Sequence, residues 1–235
     1  MFSPGAAIGY LHCLDQLVKL TLAKSHRSSR RNSLARKTKI QLENRAKIAA
    51  AALEVFAAKG FNGATIDAIA ARAGMSKPNL LYYFASKELI YHHLLEDLLD
   101  NWLAPLRALD KTGDPAREIA AYLDRKIELA RDFPQESRLF ANEILRGAPN
   151  LGDVLAGELK ALVDEKAAVI RTWSAAGRIV RIDPYHLIFA IWSTTQHYAD
   201  FDVQVRAVLG NDGEGRFHDG AAFLKQLFLN GLRPR

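Results

Sequence analysis

Past Tyr91, apolar positions recur at helical spacing in segment after segment and never alternate as strand residues do. Short breaks separate the segments at Gly113-Asp114-Pro115, Phe133-Pro134, Gly147-Ala148-Pro149, Asp183-Pro184 and Gly210 to Gly215. The pattern predicts a helix from Lys87, capped by Ser86, to about Asp110, and later helices near 114–131, 134–146, 150–177, 183–208 and 216–231. Upstream, Ile66, Ile69, Ala70 and Ala73 keep the same spacing, with Thr65 placed to cap their helix and Gly74 to end it. Ser76 caps the next helix, and Pro78 lies in its first turn, where no N–H is needed. The fold class expected is all-α, with about nine helices.

The helix after Ser76 is short and oddly composed. Leu80 and Phe84 lie four apart and point toward the preceding helices, whereas Lys77, Asn79, Tyr82 and Tyr83 have no place in a small core. Two short helices joined by a tight turn form a helix-turn-helix, whose second helix enters the major groove of double-stranded DNA with its N-terminal residues against base edges. Lys77 and Asn79 stand there. Taken alone, the same residues also describe a three-helix segment with a solvated polar face.

Charge separates those readings. From Lys24 to Tyr91 there are thirteen lysines and arginines against four acids, while residues 92–235 hold eighteen basic and twenty-one acidic residues. Such asymmetry suits a phosphate-binding module joined to a neutral or acidic partner domain. The stretch from Lys24 to Lys47, with Arg36 and Lys37, reads either as a solubilising tail or as a basic arm that follows the DNA backbone. At 235 residues and 49% hydrophobic, the chain can bury a sizeable core in one large or two modest domains. Its single cysteine, Cys13, excludes an internal disulfide framework and a cysteine-rich zinc site, and fits a cytoplasmic location. His12, Asp15 and Lys19 interrupt the apolar residues 5–23, so no signal peptide or membrane association is expected, and residues 1–23 are assigned no role.

With these residues in view, the stretch from about Arg45 to Tyr91 resembles the DNA-binding domain of TetR-type transcriptional regulators. Phe56, Gly60, Thr65, Ile69, Ala70, Ala73, Gly74, Ser76, Leu80, Tyr82, Tyr83, Phe84, Ser86, Lys87 and Glu88 fall on that family's pattern. Leu81 departs from it, since many members carry tyrosine there, and offers an apolar group to a thymine methyl. The resemblance implies a three-helix DNA-binding domain followed by a helical domain that binds an effector and dimerises. The boundaries expected are a mobile extension and basic arm over 1–38, a helix-turn-helix domain over 39–85 and a ligand-binding and dimerisation domain over 86–235. DNA contacts are expected from Lys77, Asn79, Leu81, Tyr82, Tyr83, Thr65, Ser76, Lys87, Arg36 and Lys37. One helix-turn-helix reads few base pairs, which independently favours a homodimer on two half-sites. Leu187, Ile188, Ile191, Phe223, Leu227 and Phe228 could build its four-helix interface, and about half of them are expected in the monomer core instead.

An effector site is suggested by the segment from Ile188 to Phe201. Trp192, Thr195, Gln196 and Ala199 share one helix face, and a buried Gln amide wants a donor and an acceptor opposite it. A lactam edge such as that of uracil or thymine supplies both, and an indole can wall a planar ring. The same residues also serve as packing or dimer contacts in many helical proteins. The runs "NLLYYFASKE", "DNWLAPL", "RDFPQESRLF" and "IWSTTQHYADF" are similar to pyrimidine-utilisation regulators of the TetR type. That resemblance implies a repressor of pyrimidine catabolism, released from its operator by uracil or thymine. It places Trp102, Trp192 and Gln196 in the pocket, with Tyr91, Leu95, Phe140, Glu143, Thr195 and Tyr198 alongside them. A different small planar or hydrophobic effector remains the alternative.

An enzyme acting on a small heterocycle is the remote alternative. His92, His93 and Glu96, or His186, His197 and Asp200, allow a metal or general base to be drawn, but no metalloprotease signature, phosphate loop or nucleophile elbow accompanies them. No enzyme, cofactor or metal is expected. Deleting the residues before Lys39 should weaken binding to all DNA sequences and flatten its salt dependence, measured by fluorescence anisotropy across a salt series. Unchanged salt dependence would remove the arm from the interface.

Overall fold

The computed structural model describes residues 29–210 and 215–234, and for 29–38 the backbone alone. Cys13 and the arm as far as residue 28 lie outside the described residues, as do the side chains of Arg36 and Lys37. All regular elements among the described residues are helical. The chain divides between Leu94 and Leu95 into two compact units.

The first unit contains α1 (Ser29–Gly63), α2 (Ile66–Arg72), α3 (Lys77–Tyr83) and the beginning of α4 (Lys87–Arg107). Helix α1 begins inside the stretch expected to be a mobile extension and basic arm, and the backbone of residues 29–38 is helical. The physical reason is composition: no Gly or Pro occurs between Ser29 and Lys59, and Arg, Lys, Leu, Gln and Ala all favour helix. Gly60 breaks α1 with φ 66°. The core of this unit is Ile48, Ala52, Phe56, Ile69, Leu80, Phe84 and Ile90. Tyr91 closes it, with its ring centroid 4.9 Å from Phe56 and 4.8 Å from Phe61.

The second unit holds the rest of α4, then α5 (Pro115–Asp132), α6 (Pro134–Leu145), α7 (Lys160–Ala175), α8 (Pro184–Asp200), α9 (Asp202–Leu209) and α10 (Gly215–Leu232). Helix α5 is its centre and packs against both α8 and α10. Its register is set by Ile119, Tyr122, Leu123, Ile127 and Ala130, all buried among Leu187, Ile188, Ile191 and Leu224. Asp114 caps α5 by accepting from the Arg117 N–H at 3.1 Å, and Asp183 caps α8 by accepting from Tyr185 and His186.

Two expected helices are subdivided. The segment near 150–177 begins with a short turn, Gly152–Val154, and a π-helical stretch, Leu155–Leu159, before α7 proper. The segment near 183–208 breaks at Phe201, where φ is −112° and ψ 28°, and restarts as α9 with Asp202 in its first turn. Asp202 accepts from Arg216 of α10 at 2.7 Å, which ties the restart to the last helix. Helix α4 ends at Arg107, short of the expected Asp110. Of the apolar residues considered for a dimer interface, Leu187, Ile188 and Ile191 are core, whereas Phe223 and Leu227 are 59% and 51% exposed.

Helices α8 and α10 approach closely at Gly220, where a Cβ would fall 2.5 Å from Cζ of Tyr198. Gly220→Ala should therefore lower unfolding stability by about 1–3 kcal/mol, read from urea titration.

Candidate functional site

The surface expected to read DNA is built from two caps and a turn. Thr65 Oγ1 accepts from the Ala68 N–H at 3.1 Å and starts α2. At its end, the Gly74 N–H donates to Ala71 and the Met75 N–H to Ala70, a closure that requires the positive φ of 68° at Gly74. Ser76 Oγ then accepts from the Asn79 N–H and starts α3. Leu80 anchors α3 from below, fully buried, so the other face of this short helix is left in solvent.

That face carries the expected readers. Lys77 and Asn79 are exposed, Tyr82 is 71% exposed, and Leu81 stands at 37%. The Lys77 ammonium pairs with Asp67 at 2.9 Å, so an anion of the chain already occupies the position expected to meet DNA. Tyr83 is half-buried: its hydroxyl accepts from Asn44 at 2.8 Å, and its carbonyl accepts from Arg45 at 3.1 Å. Arg45 also stands over the Phe84 ring at 4.2 Å. Lys87 has a scaffold task. Its ammonium donates to the carbonyls of Phe61 at 2.9 Å and Ala64 at 3.1 Å, closing the end of α1, rather than pointing freely toward a phosphate. Thr65 and Ser76 likewise have their side-chain oxygens engaged as caps.

A polar cluster lies inside the second unit, around α5. Lys126 is 2% exposed, its ammonium stands 4.1 Å from the centroid of the Trp102 ring, and it has no hydrogen-bond or ion-pair partner among the described residues. Burial lowers this ammonium from its ordinary value to about 7, against the pull of the Asp200 carboxylate. Burial raises the Asp200 carboxyl, opposed by the hydrogen bond from buried Ser137 and by the charges of Lys126, Arg138 and His197. One turn before Lys126, the Tyr122 hydroxyl accepts from the Trp192 indole N–H at 2.6 Å, and burial holds its own proton firmly. Trp192, half-buried Gln196 and Asp200 recur every four residues on α8, opposite Tyr122 and Lys126.

The structure thus groups the expected pocket residues unequally. Trp102 and Trp192 both touch α5, through Lys126 and Tyr122 respectively, and Gln196 shares the Trp192 face. Thr195 and Ala199 turn into the core instead, and the Thr195 hydroxyl donates to the carbonyls of Ile191 and Trp192 within its own helix. Tyr198 lies against Gly220 and Phe217 of α10. Buried Glu143 accepts from the backbone and side-chain N–H groups of Asn150, which closes the turn after α6. Phe140 is half-buried, Leu95 is fully buried, and Tyr91 belongs to the aromatic core of the first unit. A separate groove of about 360 Å³ opens beside Trp192, lined by Leu155, Leu159, Val163, Tyr185 and Phe189 with Lys160 and Asp164.

Residues 48–94 match bacterial regulatory proteins of the tetR family, and residues 95–235 match the C-terminal region of YcdC-like proteins. The HTH-type transcriptional regulator RutR of Escherichia coli K12 is 49% identical over 190 residues, spanning 80% of this chain and 90% of that protein. The chain belongs to the TetR family. It is a DNA-binding transcriptional regulator. The HTH-type transcriptional activator FasR of Mycolicibacterium smegmatis is 36% identical over 43% of this chain and 47% of its own length. Among solved structures, a TetR-family regulatory protein from Rhodococcus RHA1 superposes with a TM-score of 0.66 at 22% identity, over 82% of this chain and 98% of that one. The ketosteroid transcriptional regulator KstR2 of Mycobacterium tuberculosis gives 0.64 at 21% identity, over 81% and 95%. These two share the fold.

Within this TetR-family chain, sequence reading overlooked Tyr122, Lys126 and Ser137, and met Asp200 only as a metal candidate. A signal existed for Lys126, which interrupts the apolar face of α5 between Leu123 and Ala130. Among the described residues no group of three His, Cys, Asp or Glu side chains could hold a metal, and no helix is long and apolar enough to cross a membrane. Lys87→Met should cost about 1–3 kcal/mol of stability, seen as a lower thermal midpoint, because two carbonyls lose their donor. An unchanged midpoint with a shallower salt slope of DNA binding would return Lys87 to the phosphate backbone.

Proposed function

We propose that this chain is a cytoplasmic, homodimeric repressor of pyrimidine catabolism that releases its operator when uracil or thymine binds. Similarity to RutR over nine-tenths of that regulator's length carries the reading. The chemistry of the second unit supports it: two indoles to wall a planar ring, a Gln amide to match a lactam edge, and donors on α5. The protein binds its effector rather than transforming it.

The proposed switch uses α4. This helix starts behind the reading helix at Ser86, whose Oγ accepts from the Leu89 N–H at 3.3 Å, and carries Trp102 one unit further along the chain. A pyrimidine held by Trp102, Trp192 and Gln196 tilts α4 and changes the spacing of the two reading heads in the dimer. Release requires that the pyrimidine favour the conformer that cannot bind DNA, and that preference limits the shift. Exposed Phe189, Phe223 and Leu227 supply apolar surface for the dimer contact. The groove beside Trp192 favours a second reading, a larger hydrophobic effector.

Thermal-shift screening against nucleobases, nucleosides and related heterocycles tests the effector class, with operator release measured for each hit. Gln196→Leu should leave operator affinity intact and abolish release by uracil. Lys77→Ala or Tyr82→Ala should weaken operator binding by about 1–3 kcal/mol while leaving uracil affinity of the free protein unchanged. Normal release of the Gln196→Leu protein by uracil would overturn the pocket assignment.

A further inference from the structure

Among the described residues of the second unit, one buried ammonium stands without a hydrogen-bonded or ion-paired partner. Lys126 is buried on the inner face of α5, its ammonium rests on the Trp102 ring, and no described acceptor reaches it. The nearest acid, Asp200, accepts from the Ser137 hydroxyl. One turn away, the Tyr122 hydroxyl accepts from Trp192 and keeps its own proton unspent among the described residues. Side chains four apart on a helix lie about 5–6 Å from each other on one face. Helix α5 therefore presents two neighbouring donors, between one indole of α4 and another of α8.

Resting on the pyrimidine reading, we propose that Lys126 selects the effector by donating to a ring carbonyl, so that the site takes 2,4-dioxo rings and rejects rings carrying an amino group there. Gln196 can donate and accept, and so cannot distinguish a carbonyl from an amino group by itself. A protonated lysine only donates. Opposite a carbonyl it completes a charge-assisted hydrogen bond; opposite an amino group, two donors face each other in a dry site. Asp200, held by the Ser137 hydroxyl, has a positioning part, since its charge opposes the lowering that burial imposes on the ammonium without cancelling it.

The test is isothermal titration of the full-length protein with uracil and cytosine at pH 6, where Lys126 holds its proton, together with thermal midpoints of the ligand-free proteins. The unaltered protein should prefer uracil by at least about a hundredfold. Lys126→Met should lose uracil affinity by about ten- to a hundredfold while its midpoint holds or rises, because an apolar side chain replaces a buried charge. Lys126→Gln, which can also accept, should narrow the gap between uracil and cytosine. Equal uracil affinity in Lys126→Met would overturn the proposal, as would a lower midpoint accompanying the loss, which would make Lys126 part of the scaffold. Failure of uracil to bind the unaltered protein would overturn the pyrimidine reading itself, and this assignment with it.

Discussion

Burying an ammonium without a counter-ion in contact costs several kcal/mol, and α5 carries that cost at its centre. The rest of the helix offsets it. Ile119, Leu123, Ile127 and Ala130 pack into the core shared with α8 and α10, so α5 keeps its register even though Lys126 turns inward with them. The ring of Trp102 supplies partial compensation through its negative face. A helix packed against both α8 and α10 holds such a group still, as a surface helix does not.

The first unit solves a different problem, keeping a seven-residue helix in place with one side in water. Isolated helices of that length do not persist. Here Ser76 fixes the first turn, Leu80 and Phe84 bury the underside, and Asn44 and Arg45 of α1 grip Tyr83 at the far end. The readers can then be chosen for what they touch rather than for what they stabilise. Asp67 adds a restraint, because any phosphate or base that takes Lys77 must displace a carboxylate already there.

Much of this was legible in the residues. Thr65, Gly74, Ser76 and Pro78 mark helix ends through local chemistry, and the structure places those ends where the caps stand. The start of α1 was not, because arginines and lysines in a row satisfy helical and extended chains alike and only the absence of Gly and Pro hints at continuity. Nor was the break at Phe201, beside which Asp202 meets the distant Arg216, a pairing that no local pattern announces. In the candidate pocket, four-residue spacing singled out Trp192 and Gln196, but it assigned Thr195 to the same face, whereas its hydroxyl bonds back to its own helix. The clustering of Trp102, Lys126, Ser137 and Asp200 joins α4, α5, α6 and α8, and no periodicity within one helix could announce it.

Lys87 is the first residue of α4, yet its ammonium grips the carbonyls of Phe61 and Ala64, the latter immediately before the cap of α2. That arrangement makes the amine a tether between two helix ends rather than a surface charge. A displacement of α4 at this end strains two hydrogen bonds at once and pulls directly on the turn that launches α2. A shift of the first turn of α4 would therefore be felt at that turn through a polar latch as well as through packed side chains, and a latch transmits direction where a greasy contact permits sliding.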